Sequence, residues 1–264
     1  AVRLGARGYR VTVLEKLEQP GGRASVFRQD GFVFDAGPTI ITLPFLFEEL
    51  WSLAGKRFSD HIDLRPMNPF YRILFPDGSH FAASGDDEAM LGEVLRLSPS
   101  DRAGYERFMA DSEAIYKFAF EQCGQIPFDQ LGTMLQAIPG FVRYRADRSV
   151  HSFVSKYVKD ERLRIAFSFH PLFIGGNPFR VTSMYALVAH LERRYGVHFA
   201  MGGTGALVKG LVDLIAGQGG TVRLHAEVQE ILVDQGVATG VRLHSGEVLR
   251  ADIVVSNADS AWTY

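Results

Sequence analysis

An acidic residue that closes a short apolar run is the first candidate for chemistry. Tyr9 to Glu15 reads YRVTVLE, β-branched and apolar until it ends on Glu15. Such a run is expected to form a buried strand. Residues 1–8, AVRLGARG, read as the last turns of a helix stopping at a glycine. Helix, glycine, strand and acid make up the second half of a βαβ unit. In the dinucleotide-binding form of that unit, the acid accepts the ribose hydroxyls. Its Gly-x-Gly-x-x-Gly turn stands about 20 residues upstream, which from Glu15 falls ahead of residue 1. A glutamate exposed at a strand end fits the same spacing.

Gln19 to Arg23 (QPGGR) follows at once. Gly21 and Gly22 carry no Cβ, so backbone can approach a bulky ligand there. Arg23 offers a planar cation suited to a pyrophosphate. An acid-ended strand followed by Gly-Gly-Arg is a pattern of flavin proteins. A glycine turn with a surface arginine is the plainer alternative. Gly202 to Gly205 also resembles a phosphate loop but lacks its Lys-Ser/Thr ending. A helix start with a structural role near the site is expected there instead, with glycines serving close packing alone as the alternative. No His-x-x-x-His pair or His/carboxylate triad suggests a metal. No Gly-x-Ser-x-Gly supports acyl transfer. The one cysteine, Cys123, excludes an internal disulfide.

The elements that must position these residues are legible in outline. The chain has 264 residues, 47% apolar and 22% charged, with net charge -2. That suits a globular core and gives no basic surface for nucleic acid. No apolar run reaches the roughly 18 residues of a spanning helix. The 20 phenylalanines suit a Phe-rich core, with a large apolar cavity or membrane-facing surface as the other reading. Helices are expected over 44–54, over 100–123 with Ser98 or Ser100 as N-cap, and over 151–169. Two further helices are expected around the Pro139–Gly140 break. Residues 70–81 read as a hairpin turning at Pro76, Asp77 and Gly78. From Gly219 three meandering strands are expected. A fully apolar strand at Ile253 to Val255, buried on both faces of a parallel sheet, should follow them.

VTVLEKLEQPGGRA, FDAGPTIIT, AFSFHPLFIGGNPF, GVHFAMGGTGALVKGL and VVSNAD occur in this order over nearly the whole chain. Together they resemble the bacterial phytoene desaturase family of the flavin amine oxidase-like superfamily. The resemblance implies an α/β fold with an α+β insert. A split Rossmann-like FAD-binding domain with a β-meander would carry an inserted, largely helical, substrate- and membrane-associating domain. It divides the chain into 1–69 (FAD-binding, first part), 70–200 (inserted substrate domain) and 201–264 (FAD-binding, second part). It further implies Glu15 as ribose ligand and Gly21, Gly22 and Arg23 as the phosphate and flavin loop. Gly37, Pro38 and Thr39 would form the turn beside the flavin ring. Val228 would contact adenine through its backbone. Ser256, Asn257 and Ala258 would close the strand end returning to FAD. Family segments on both sides would lie outside residues 1–264, which alone should bind FAD poorly.

The implied activity is desaturation of a linear C40 or C30 carotenoid precursor such as phytoene. Removing hydride and proton from a C–C bond needs a flavin, because no side chain accepts hydride well. His170, Glu48, Glu49 and Arg145 are available as bases, and none stands out. His170 could line the substrate cavity or be a buried, hydrogen-bonded histidine. Phe141, Arg143, Arg145 and Arg148 suit an interfacial segment facing anionic lipid. A solvated basic helix end is the alternative. A peripheral position on the cytoplasmic face of the inner membrane is expected. Carotenoid isomerases, retinol saturases and flavin amine oxidases share parts of these motifs, and a Rab-escort-like prenyl-binding protein shares the fold without the flavin.

Overall fold

A computed structural model describes residues 1–124, 126–129 and 131–263. They fall into two compact units. The first comprises 1–39, 46–63 and 200–264, and the second 40–45 and 64–199.

In the first unit, helix Val2–Gly5 ends before Gly8, which takes φ +86°. Strand Thr12–Leu14 then pairs parallel with Thr221–Arg223, Thr12 beside Thr221 and Leu14 beside Arg223. Helix Thr204–Gly217 leads directly into that second strand. Trp51, fully buried at the end of helix Pro44–Leu53, meets Phe58 edge-on at 5.0 Å. It presses on Gly210, where a Cβ would stand 2.7 Å from the indole. Strands Val26–Gln29 and Phe32–Asp35 form a hairpin. Val228–Asp234, Val237–Leu243 and Val248–Arg250 form the expected three-stranded meander. The apolar run after it departs from expectation. Ile253 and Val255 form no strand and are 53% and 68% exposed. A strand exists only through a hydrogen-bonded neighbour. Among the described residues the Thr12–Leu14 and Thr221–Arg223 pair takes no third strand.

The second unit is mostly helical: Asp87–Leu97, Arg102–Tyr116, Leu131–Arg143, Val150–Val154, Glu161–Ser168 and Leu187–Tyr195. Its core holds Val94, Phe108, Ile115, Val150, Val154, Val158 and Leu163, all essentially inaccessible. Phe81, Phe108 and Phe167 meet within it at 5.3–5.6 Å. Burying such side chains is worth about 1.5–3 kcal/mol each. Hairpin Tyr71–Leu74 and His80–Ala83 turns where expected. Asp77 Oδ1 accepts from Ser79 N at 2.9 Å, and Gly78 takes φ +80°.

Four local expectations change. The long helix passes at Lys117 into a π-helix, Lys117–Gln122. Asp101 rather than Ser98 or Ser100 holds its N-cap position, and its carboxylate instead accepts from Lys159 N and Asp160 N, both at 2.9 Å. One helix, not two, runs through Pro139 and Gly140. Proline removes one ladder bond, while Gly140 admits the Phe118 ring, which would stand 2.2 Å from any Cβ. The expected 151–169 helix is two helices, separated because Asp160 caps Arg162 N and Leu163 N.

The phenylalanines divide: Phe81, Phe108 and Phe167 are core, whereas Phe32 and Phe179 are 67% and 65% exposed. Gly104 shows how tightly the second unit packs, since a Cβ there would fall 1.8 Å from the Tyr157 carbonyl oxygen. Gly104→Ala should lower unfolding free energy by about 2–3 kcal/mol. Gly92, in helix Asp87–Leu97, faces open space, and Gly92→Ala should add about 0.5–1 kcal/mol. Urea denaturation reads both, and equal effects would contradict the packing described.

Candidate functional site

Glu15 sits one residue past the parallel ladder. Its N–H donates to Arg223 O at 2.9 Å, and its carbonyl accepts from Ala226 N at 2.9 Å. His225 N reaches Leu17 O at 3.1 Å. The strand end is thereby laid along 223–226, two residues before Val228 opens the meander. The carboxylate accepts from Leu17 N at 2.9 Å and is partly exposed. The structure therefore brings Glu15 close to the segment leading into Val228.

Gly21 and Gly22 take φ +127° and +53°, which L side chains rarely adopt. They open a single 3₁₀ turn, Gly22–Ala24, that presents Arg23. Ala36 N donates to Ser25 O at 2.9 Å. Gly37 lies against the Arg23 carbonyl so closely that a Cβ would be 1.9 Å from its oxygen. The Gly-Gly-Arg loop and the Gly-Pro-Thr turn are thus one backbone junction, with Pro38 and Thr39 exposed just beyond. The Arg23 guanidinium, 91% exposed, bonds Asp259 at 3.1 Å. This pair ties the exposed residues Ser256, Asn257 and Ala258 to the glycine loop. An exposed ion pair contributes little, so Asp259 holds Arg23 only weakly.

Asp35 was not singled out by sequence. Its Oδ1 accepts from Thr204 N at 3.1 Å and from Thr204 Oγ1 at 2.9 Å. A protein carboxylate therefore already serves the start of helix Thr204–Gly217. Gly203 and Gly205 pack against Asp35 and Val26. The only sequence signal was an acid ending the strand GFVFD.

The second unit holds a buried polar cluster. Tyr71 Oη donates to Glu192 Oε2 at 2.8 Å and lies 3.2 Å from His170 Nε2. His170 Nε2 stands 3.3 Å from the same Glu192 oxygen. His170 and Glu192 are 2% and 3% exposed. His170 is thus a buried, hydrogen-bonded histidine. Glu48 is exposed, Glu49 pairs with Arg3, and Arg145 pairs with Asp147 at 3.2 Å. The hydrogen bond from Arg3 holds the Glu49 carboxyl below its ordinary range. None of these is presented as a base. Among the described residues no cluster is placed to hold a metal.

With that geometry in place, the family follows. The chain belongs to the flavin containing amine oxidoreductase family, whose model matches residues 1–261. It is 54% identical over its whole length to the phytoene desaturase (neurosporene-forming) of Cereibacter sphaeroides, covering 51% of that protein. It is 43% identical, again over its whole length, to the phytoene desaturase (lycopene-forming) of Pseudescherichia vulneris, covering 54% of it. The chain spans about half the length of the curated relatives it matches. The structure of an oxidoreductase from Methanosarcina mazei aligns with TM-score 0.60 at 18% identity, over 97% of this chain and 55% of that one. At that identity the likeness shows the fold.

Burial holds the Tyr71 hydroxyl well above the ordinary phenol range, reinforced by the Glu192 carboxylate. Burial likewise pushes Tyr105 up to about 12. The folded protein then keeps protons that the unfolded chain releases above a pH of about 10. This contribution is complete below that pH and is lost as pH rises through the folded values. The urea midpoint should fall above about pH 10. Tyr71→Phe should lower stability at neutral pH but show a shallower alkaline decline. An alkaline slope identical to the parent's would remove Tyr71 as a cause.

Proposed function

We propose that this chain is part of an FAD-dependent oxidoreductase that desaturates a linear C40 or C30 carotenoid precursor such as phytoene. The observation that carries the reading is the junction of Gly21, Gly22 and Arg23 with Gly37 in the unit that also holds Glu15. The residues fit the cofactor. Glu15 supplies an acceptor-only carboxylate for ribose hydroxyls. Gly21, Gly22 and Gly37 give a side-chain-free surface for pyrophosphate and ring. Arg23 brings a guanidinium held only by a surface pair. Pro38 and Thr39 continue the turn, Val228 offers backbone two residues beyond Ala226, whose N–H bonds the Glu15 carbonyl, and 256–258 come in through Asp259. Bound FAD supplies the hydride acceptor that no side chain can provide. The phytoene desaturases of similar sequence support the substrate class.

A carotenoid precursor has no polar handle, so its binding rests on apolar area, at roughly 25 cal/mol per Å². Such a substrate resides in membrane, and helix Leu131–Arg143 suits a lipid surface. Leu131, Met134, Leu135, Ile138 and Val142 share one face and are 48–72% exposed. Arg143, Arg145 and Arg148 follow, suited to anionic headgroups. Phe141 is turned inward, edge-on to Phe118 at 5.4 Å, so it is not part of that face. Among the described residues no helix is long and apolar enough to cross a membrane. Peripheral attachment at the cytoplasmic face of the inner membrane is the arrangement proposed.

Full-length protein co-expressed with a phytoene-producing pathway should yield coloured, desaturated carotenoid and purify with bound flavin. Continued accumulation of colourless phytoene would overturn the reading. Replacing Leu135, Ile138 and Val142 with Ser should reduce co-sedimentation with anionic liposomes several-fold, and Phe141→Ser should act mainly on stability. Unchanged co-sedimentation of the triple variant would sink the membrane assignment.

A further inference from the structure

Helices Asp87–Leu97, Glu161–Ser168 and Thr204–Gly217 each receive a carboxylate at their first turn, and the last does so differently. Asp86 caps Asp87–Leu97 through Ala89 N at 2.7 Å. Asp160 caps Glu161–Ser168 through Arg162 N at 2.9 Å. In both the accepting carboxylate belongs to the residue immediately before the helix, so the cap is local. Helix Thr204–Gly217 has Gly203 at this position, with no side chain to offer. Its carboxylate comes from Asp35, 169 residues away. The interaction that elsewhere caps a helix here also fixes a tertiary position.

The surrounding glycines are explained by that contact. Gly203 takes φ +74°, and a Cβ on it would stand 2.7 Å from Asp35 Oδ1. A Cβ on Gly205 would stand 3.1 Å from Val26 Cγ1. Val26 is the ladder partner of Asp35. The turn is shaped to receive the end of the hairpin. From Asp35 the chain continues through Ala36, bonded to Ser25 O, to Gly37 against the Arg23 carbonyl. Thr204, 4% exposed, is buried at the contact.

We infer that Asp35 is a positioning residue of the cofactor cradle, locking the Arg23–Gly37 junction to the start of helix Thr204–Gly217. The inference rests on the proposed flavin site. The helix dipole favours a negative charge at its N-terminus, and both Thr204 donors converge on one oxygen. Asp35 itself touches no cofactor. Its loss leaves the hairpin ladder intact but frees the junction from the helix, so the surface offered by Gly21, Gly22 and Gly37 loses its fixed shape.

The test uses full-length protein, with FAD affinity read by flavin fluorescence and fold by circular dichroism and melting temperature. Absence of FAD binding by the parent would refute the flavin reading itself, before any variant is compared. Given binding, Asp35→Ala should raise the FAD Kd at least tenfold and alter the visible circular dichroism of the flavin. Asp86→Ala, which removes a local cap, should lower the melting temperature by a similar amount with Kd within twofold. Thr204→Ser should retain parental Kd, and Thr204→Val should weaken binding severalfold. If Asp35→Ala does not fold, Asp35→Asn and Thr204→Val decide: weaker binding in both supports the inference. Parental Kd and flavin spectrum in folded Asp35→Ala, or in both of those variants, would overturn it and leave Asp35 a cap like Asp86.

Discussion

Thr12 and Thr221 stand side by side in a parallel ladder, 209 residues apart in sequence. Parallel strands cannot be joined by a tight turn, so the intervening chain must leave and return. Most of it folds as the second unit, with a core of its own. The ladder also positions the residues proposed to hold the nucleotide. It ends at Glu15 on one strand and at Arg223 on the other, and the next residues run together as far as Ala226. Bringing two distant strand ends together is what places an acid beside the start of the meander.

Around that ladder the first unit is assembled by absences of side chain as much as by contacts. Gly37 at the Arg23 carbonyl, Gly210 at Trp51 and Gly203 at Asp35 are each positions where a Cβ would meet an atom closer than 3 Å. Glycine in such places carries an entropic cost on folding. It is offset by the close approach itself, of backbone to backbone at Gly37 and of side chain to backbone at Gly210 and Gly203.

The second unit solves a different problem. It encloses Tyr71, His170 and Glu192 in an aromatic core, with Phe169 edge-on to Tyr71 at 5.0 Å. Burial of polar groups is unfavourable unless they bond one another; Tyr71 Oη, His170 Nε2 and Glu192 Oε2 do, while His170 Nδ1 and Glu192 Oε1 are buried without a partner among the described residues. The arrangement fixes which strand, 3₁₀ turn and helix meet, since apolar packing alone tolerates rearrangement. The apolar surplus appears instead on the outside, along one face of helix Leu131–Arg143.

What the sequence determined by itself is local. The hairpin at Pro76 to Gly78, the Gly-Gly-Arg turn and the meander were legible because turn residues, alternation and glycine conformations act over a few residues; the strand before Glu15 was legible in place but not in extent, since only Thr12–Leu14 is strand and none of it is buried. The ordered motifs also made the family resemblance legible. Tertiary structure alone decided the rest. Helix Leu131–Arg143 passes through Pro139 because Gly140 gives the Phe118 ring a place to pack. Asp101 leaves its own helix to hold the backbone of Lys159 and Asp160. The apolar Ile253 to Val255 stays out of any sheet, because hydrophobicity without a neighbouring strand cannot make a ladder. Asp35 and Thr204 meet across 169 residues, a pairing with no local signature. Short-range preferences are written in spacing, whereas long-range partners are chosen by which surfaces fit once the whole chain has packed.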